Sequence, residues 1–397
     1  MQDSQYRNKS LFKRKFLLLI IYTSLLLGLT YITWRQSHNI KSSASSIPVK
    51  KIQIDEIQSS KDLTPSEYDK IVDLIAGNLL NQEIPSALNE NDWNNFTNIV
   101  KTNWSDYYSQ IGQPMMKWSA QEIRNDADEV FYPFSGPDFS TLYQLYPNAN
   151  HYVMIAQQKG EHLVNLSTIK PFEVAKTLEV LGSAWSSFGH NGFFVTEYLF
   201  KYISQNKVKI GPTTLIASFA HLQGFSIRKI VPIEIDEQGQ VHELELYHPW
   251  DSVRFLLNKD GKSITVDYLS MDLSNDGLKK TPQNLIFFDS SSKFPILLKA
   301  ASHLPQHKNF TLISDLMLKN APYIVQDETG LDYKPLKKLF DTSLYGDFEK
   351  PYKVFSNYNQ DLVKAYQELI DKKPIPFRIG YFKNGSYALI VAVRKAF

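Results

Sequence analysis

Three features of the chain predict an α/β fold. Apolar runs of strand length alternate with helix-length segments through residues 63–397. Residues 130–156 read as one strand–helix–strand unit. Asp260-Gly261 and Asn384-Gly385 each separate two apolar runs, the pattern of a β-hairpin. Such alternation implies a sheet covered by helices on both faces.

The unit at 130–156 organises the rest. Val130, Phe131 and Tyr132 begin an apolar, aromatic strand, which breaks on Ser135-Gly136-Pro137-Asp138. Residues 139–146 read as a helix, Pro147-Asn148-Ala149-Asn150 as a turn, and residues 151–156 as a second strand. Upstream, Thr64-Pro65-Ser66-Glu67 is a helix start: Thr64 caps, Pro65 suits the first turn and Glu67 completes a capping box. A second helix is expected over residues 93–107.

Downstream, helices are expected at 171–182, 192–205 and 212–222, and a strand at 230–235. Strands at 251–258 and 263–270 flank the Asp260-Gly261 turn. A helix near 282–288 leads to a strand at 295–303. A helix at 310–319 leads to a strand at 323–328. After a helix at 361–371, strands at 377–382 and 386–393 flank Lys383-Asn384-Gly385. This order is Rossmann-like. It predicts a three-layer, mostly parallel sheet with a C-terminal antiparallel hairpin, preceded by N-terminal helices and one transmembrane helix. It looks like the class I methyltransferase variant of that fold, which also ends in such a hairpin.

The transmembrane expectation rests on residues 16–34, 19 residues without a charge. At about 1.5 Å per residue they span a hydrocarbon core of roughly 30 Å. The run is longer than the apolar part of a cleaved signal peptide, and no small-residue cleavage site follows it directly. Arg7, Lys9, Lys13, Arg14 and Lys15 precede it, which keeps the N-terminus cytoplasmic. The expected organisation is a basic cytoplasmic tail at 1–15, a membrane anchor at 16–34, a polar linker at 35–62 and an α/β domain at 63–397. That places a single-pass protein in the inner membrane with its bulk in the periplasm.

Composition narrows the function. Of 397 residues, 43% are hydrophobic and 21% charged, as in globular rather than disordered chains. The net charge of +2 gives no field that argues for nucleic acid. Cysteine is absent, which excludes disulfides, thiolate metal sites and a Cys nucleophile. His303 and His307 are four apart, but Pro305 between them breaks helical spacing, so no metal site is expected.

In an open α/β sheet, ligands bind beyond the carboxyl ends of the strands. Those ends give the candidate pocket: Ser135, Gly136 and Asp138; Gln157; Asp272; Lys299, Ser302 and His303; and Asp327, beside Glu328. Gly136 allows a tight turn and Asp138 can cap the next helix, roles that plain turn chemistry also requires. Pro137 lacks the N–H a phosphate would use, and no G-x-G-x-x-G loop is present, which argues against a dinucleotide. Gln157 stands where a methyltransferase carries an acid for the ribose. Lys299, Ser302 and His303 are an amine, a hydroxyl and an imidazole that could serve acyl or phosphoryl transfer with Asp272 or Asp327. No G-x-S-x-G elbow accompanies them.

Phe131-Tyr132-Pro133-Phe134-Ser135-Gly136-Pro137-Asp138-Phe139 resembles the motif of an uncharacterised bacterial envelope protein family. So do Ser270-Met271-Asp272-Leu273-Ser274, Lys299-Ala300-Ala301-Ser302-His303-Leu304 and Gln326-Asp327-Glu328-Thr329-Gly330-Leu331. The resemblance covers about residues 60–397 and implies no activity, cofactor or catalytic residue. Members carry Leu-Glu after the second strand, where this chain has Gln157-Gln158. The expectation is a membrane-anchored periplasmic protein that binds a small molecule or envelope component at its strand ends. The alternatives are an envelope hydrolase or transferase using those residues, and a structural partner in an envelope complex.

Overall fold

A computed structural model describes residues 63–77, 89–124, 126–194, 196–352, 355–381 and 387–396. The expected tail, anchor and linker, and the Lys383-Asn384-Gly385 turn, lie outside the described residues. Among the described residues no helix is long and apolar enough to cross a membrane.

The chain is α/β, built on one mixed sheet of ten strands. Helix α1 (Pro65–Ile75) starts on the expected capping box, with Thr64 and Glu67 each receiving the other's backbone N–H. Helices α2 (Glu90–Tyr107) and α3 (Gln113–Glu122) follow, joined by a π-turn. Then come β1 (Glu129–Pro133), α4 (Phe139–Leu145) and β2 (His151–Ala156), the expected central unit. Helices α5 (Pro171–Asn191), α6 (Thr196–Gln205) and α7 (Pro212–Leu222) lead to β3 (Ser226–Ile235), β4 (Val241–Glu243), β5 (Ser252–Lys259) and β6 (Lys262–Ser270). Next are α8 (Asn275–Lys280), α9 (Pro282–Ser291), β7 (Ile296–Leu298), α10 (Thr311–Asn320), β8 (Tyr323–Asp327) and α11 (Tyr333–Leu339). The described chain closes with β9 (Phe340–Asp347), α12 (Gln360–Gln367) and β10 (Tyr387–Arg394).

The strand order is β4-β3-β5-β6-β2-β1-β7-β8-β10-β9. Side chains alternate across it. Val130, Tyr132 and Leu297 join one buried cluster, while Phe131, Ile296 and Leu298 join another on the opposite face. Helices cover both.

The expectation of a mostly parallel sheet is corrected. Four of the nine pairings are parallel and five antiparallel. The tight Asp260-Gly261 turn is too short for a crossover, so β5 and β6 must run antiparallel, and β3 and β4 extend that meander. The C-terminal hairpin is corrected too. Residues 377–381 form no strand, and β10 lies antiparallel between β8 and β9. Pro374 and Pro376 precede that segment, and each lacks the N–H that a strand ladder needs. Residues 299–303 also leave the expected strand at β7, in a loop with three left-handed residues. Gly192 ends α5 in left-handed backbone rather than opening a helix.

Candidate functional site

Strands β6, β2, β1, β7 and β8 run in one direction, so their carboxyl ends share an edge of the sheet. The chain turns from β1 to β2 on one side and reaches β7 on the other. The crevice between β1 and β7 is therefore the switch point where such sheets hold ligands.

The turn after β1 forms as its residue types require. Phe134 and Gly136 adopt left-handed backbone, and a Cβ on Gly136 would stand 2.6 Å from Thr196 Cγ2 at the start of α6. Asp138 caps α4, its Oδ1 accepting the Thr141 N–H at 3.2 Å. Ser135 Oγ donates to the carbonyls of Gly136 (2.9 Å) and Ile155 (3.3 Å), which tethers the turn to β2.

Lys299 crosses the switch point from the end of β7. Its Nζ donates to Asp138 Oδ2 (2.9 Å), Thr141 Oγ1 (2.9 Å) and the Gly192 carbonyl (2.7 Å). Both charges are buried. An ammonium has three donors, and all three are used. Lys299 therefore fastens the α5–α6 connection over β1 and β7, with Phe193 packed 5.9 Å from its Nζ. It does not point free into a pocket.

Asp327 holds the neighbouring loop. Its Oδ2 accepts the Ala300 N–H (2.6 Å), and its Oδ1 accepts the N–H (2.8 Å) and hydroxyl (2.6 Å) of Thr329. Thr329 Oγ1 in turn accepts the Ala301 N–H at 2.7 Å. Burial raises the Asp327 pKa, against the pull of these donors. The clamp holds Ala300, Ser302 and His303 at φ 50°, 53° and 56°, a conformation costly for residues with a Cβ.

Two buried polar atoms beside this loop have no hydrogen-bond partner among the described residues: His303 Nδ1 and Glu328 Oε2. Tyr381 stands between them. Its N–H donates to Glu328 Oε1 (2.9 Å), and its hydroxyl meets Ser302 Oγ (2.7 Å). The Tyr381 ring packs against Phe193 (5.0 Å) and Phe355 (5.6 Å), and His303 packs on Phe355 (4.8 Å) and Tyr358 (4.9 Å). Arg378 donates to the Gly189 carbonyl at 3.1 Å and ties this segment to α5.

Burial pushes the Glu328 carboxyl well above the ordinary carboxylate range, and the charge on Asp327 pushes the same way. The Tyr381 and Ala388 N–H groups oppose this but do not prevail. Burial lowers His303 to about 4, against the Gln306 side chain. At neutral pH His303 is therefore a neutral imidazole, while burial and Asp327 both favour the protonated form of Glu328.

The structure thus gathers Ser135, Gly136, Asp138, Lys299, Ser302, His303 and Asp327 at one edge. It separates Gln157 and Asp272, which meet each other only at 3.5 Å near the surface, with Asp272 Oδ1 also accepting the Ser274 N–H. Ser302 bonds Tyr381 rather than His303, so no nucleophile–base pair forms. Tyr381, Thr329 and Gly192 were missed in the sequence. Tyr381 read as part of a strand, and Gly192 as a helix start. Two surface clefts lie elsewhere, one of 370 Å³ between α11 and α12 and one of 980 Å³ beside α1 and α2.

At the amino ends of the same strands sits a second charged cluster. Arg254 donates to both Asp267 oxygens at 2.7 Å, and His151 bridges Asp267 (3.0 Å) and Glu129 (3.2 Å). Burial opposes the His151 charge, but the two carboxylates outweigh it and raise its pKa to about 9. Asp267, although buried, is held below the ordinary range by Arg254 and His151.

No family model, no curated protein and no solved structure matches this chain.

Proposed function

We propose that the chain is a membrane-anchored extracytoplasmic protein whose α/β domain binds a small polar molecule at the carboxyl ends of β7 and β8. The observation that carries this is the pairing of strain with unmet polarity. Three L-residues are clamped in left-handed backbone beside two buried polar atoms without partners. Such features cluster at binding and catalytic sites, because folding alone gains nothing from them. Ser302, Tyr381, Phe355 and Tyr358 are only partly buried, so the place reaches solvent.

The seven-strand run β6-β2-β1-β7-β8-β10-β9, with only β10 reversed, resembles the class I methyltransferase layout. That likeness supports placing the ligand at this edge. It does not support the methyltransferase reaction: Gln157 replaces the ribose-binding acid, and Lys299 fills the switch point. The hydrolase or transferase reading has less support, since Lys299 and Asp327 are spent on structure and Ser302 has no base. The structural-partner reading requires a broad apolar surface. Among the described residues the most exposed apolar side chains, Phe172, Tyr247 and Ile370, belong to separate segments.

Two measurements test the proposal. Full-length protein purified from its membrane and then denatured should release a small molecule in stoichiometric amount, which mass spectrometry identifies. The His303→Leu variant should release none, and equal release from both would refute the site. A reporter fused at the C-terminus should be active outside the cytoplasm, and cytoplasmic activity would refute the anchor.

A further inference from the structure

The 370 Å³ cleft between α11 and α12 gathers like charge. Lys334, Lys337, Lys338 and Lys364 line it, against Asp361 and Glu368. All four lysines are exposed. Among the described residues none of their ammonium groups reaches a carboxylate, those of Asp361 and Glu368 included. Lysines on other faces do pair: Lys159 with Asp251 (2.9 Å), Lys176 with Glu179 (2.8 Å) and Lys229 with Glu243 (2.9 Å). A fifth ammonium stands at the end of α11, where Lys395 donates to the carbonyls of Lys337 (2.9 Å) and Lys338 (3.3 Å). The negative end of that helix dipole is thus already answered.

Residues 333–339 and 360–373 together hold six lysines and three carboxylates, an excess of three positive charges, where the whole chain carries +2. Of the six, Lys372 is bonded to Asp347 at 2.6 Å and Lys373 lies 5.0 Å over the Tyr345 ring. The uncompensated charge is therefore that of the cleft. Folding gains nothing from gathering it, whereas an anionic partner does.

An apolar side chain stands beside the cleft. Ile370, two residues past Glu368, is 96% exposed, while its neighbour Leu369 packs against the core. In water Ile370 contributes nothing, and in the acyl boundary of a bilayer its burial is favourable. Lys372 and Lys373 follow it. The residue type matters too, since no arginine lines the cleft. Guanidinium forks read single phosphates or carboxylates in two-bonded geometry, whereas ammonium groups on flexible stems suit a diffuse anionic layer.

We infer that this face docks on an anionic phospholipid surface, with the four cleft lysines over the headgroups and Ile370 inserted between them. Basic charge and an apolar tip are the two signals that interfacial binding combines. The inference goes beyond the strand-end site and rests on the reading above only for the anchor. An anchored domain stays beside a bilayer, so weak docking is sufficient.

The test uses the full-length protein in lipid nanodiscs. The chain has no cysteine, so Gln367→Cys supplies a single point for a polarity-sensitive fluorophore, exposed on α12 and outside the cleft lining. Emission should shift to the blue in discs containing phosphatidylglycerol and not in discs of phosphatidylcholine alone. High salt should abolish the shift. The combined variant Lys334→Glu, Lys337→Glu and Lys338→Glu should lose it, and Ile370→Ser should reduce it. Should the triple variant fail to fold, the salt response and Ile370→Ser carry the test. No shift with phosphatidylglycerol, or an equal shift in both discs, would overturn docking on anionic lipid. A shift that the variants leave intact would overturn the assignment to this face. A shift in neutral discs on adding glycerol 3-phosphate or polyglutamate, with none from phosphatidylglycerol, would overturn a lipid surface as the partner. Failure to enter neutral discs would refute the anchor alone. The labelled protein would then be mixed with preformed discs, and docking would be overturned if it did not bind those containing phosphatidylglycerol.

Discussion

Opposite ends of the same parallel strands treat buried charge in opposite ways. At the amino ends, His151, Asp267 and Arg254 lie on regular strands, and Glu129 faces His151 in the β1–β2 register. Arg254 grips Asp267 with two bonds, and both His151 nitrogens are engaged. At the carboxyl ends the charges sit on loops, the backbone is left-handed at three of four consecutive residues, and His303 and Glu328 each keep an unmet atom. A satisfied network on straight strands stabilises the fold. A strained one with unmet groups costs stability, and it is the observation on which the proposed binding site rests. One end is a satisfied network on regular strands, the other a strained loop with two unmet atoms.

The sharpest way to break this contrast is Lys299→Met. It leaves Asp138 charged, buried and without its cation, and should cost about 3–5 kcal/mol in urea unfolding followed by tryptophan fluorescence. Adding Asp138→Asn should recover part of that loss. A loss below about 1 kcal/mol for the single variant would mean the pair is not structural. Next in size is Gly136→Ala, which places a Cβ both in left-handed backbone and against Thr196. About 1–2 kcal/mol or more is expected by the same measurement.

The two histidines should then divide the pH dependence. His151 has a folded pKa near 9 against an ordinary 6.5, so the folded state binds the extra proton. Its contribution is complete below 6.5 and is lost as pH rises through 9. His303 is lowered to about 4, so the unfolded state binds the proton first. Its contribution is complete above 6.5 and declines as pH falls toward 4. Stability profiles of His151→Gln and His303→Gln should therefore change on opposite limbs, alkaline for the first and acid for the second. A change on the same limb would erase the distinction. The smallest effect belongs to Gln157→Ala, an exposed residue whose one contact to Asp272 is 3.5 Å long, and about 0.5 kcal/mol or less is expected.

Much of the fold was legible because it is written locally. The capping box at Thr64, the turn at Asp260-Gly261 and the unit from Val130 to Ala156 each depend on neighbours in sequence. The β9–β10 end of the sheet was not legible, because β9 carries Asp341, Ser343 and Gly346, a composition no strand pattern marks. Its partner β10 reaches it only across the sheet. At the strand ends, the sequence pointed to residues that the fold brings to one edge of the sheet, but not to the contacts they make there. Lys299 reads as a reactive amine until Asp138, Thr141 and Gly192, far away in sequence, are seen to use all its donors. Tyr381 could not be found, since its importance comes from Glu328 and Ser302 rather than from its own surroundings in the chain.

The position of β10 also sets an order of assembly. It follows β8 and β9 in the chain yet lies between them, pairing over five residues with one and eight with the other. Until it arrives, β8 and β9 each present an open edge, and open edges recruit other chains. The sheet therefore cannot be completed progressively as the polypeptide emerges, and contacts so distant in sequence form slowly. Folding of this edge must wait for residues 387–394. Glu328, which follows β8, is buried only once this edge is complete, and it is that burial that raises its pKa.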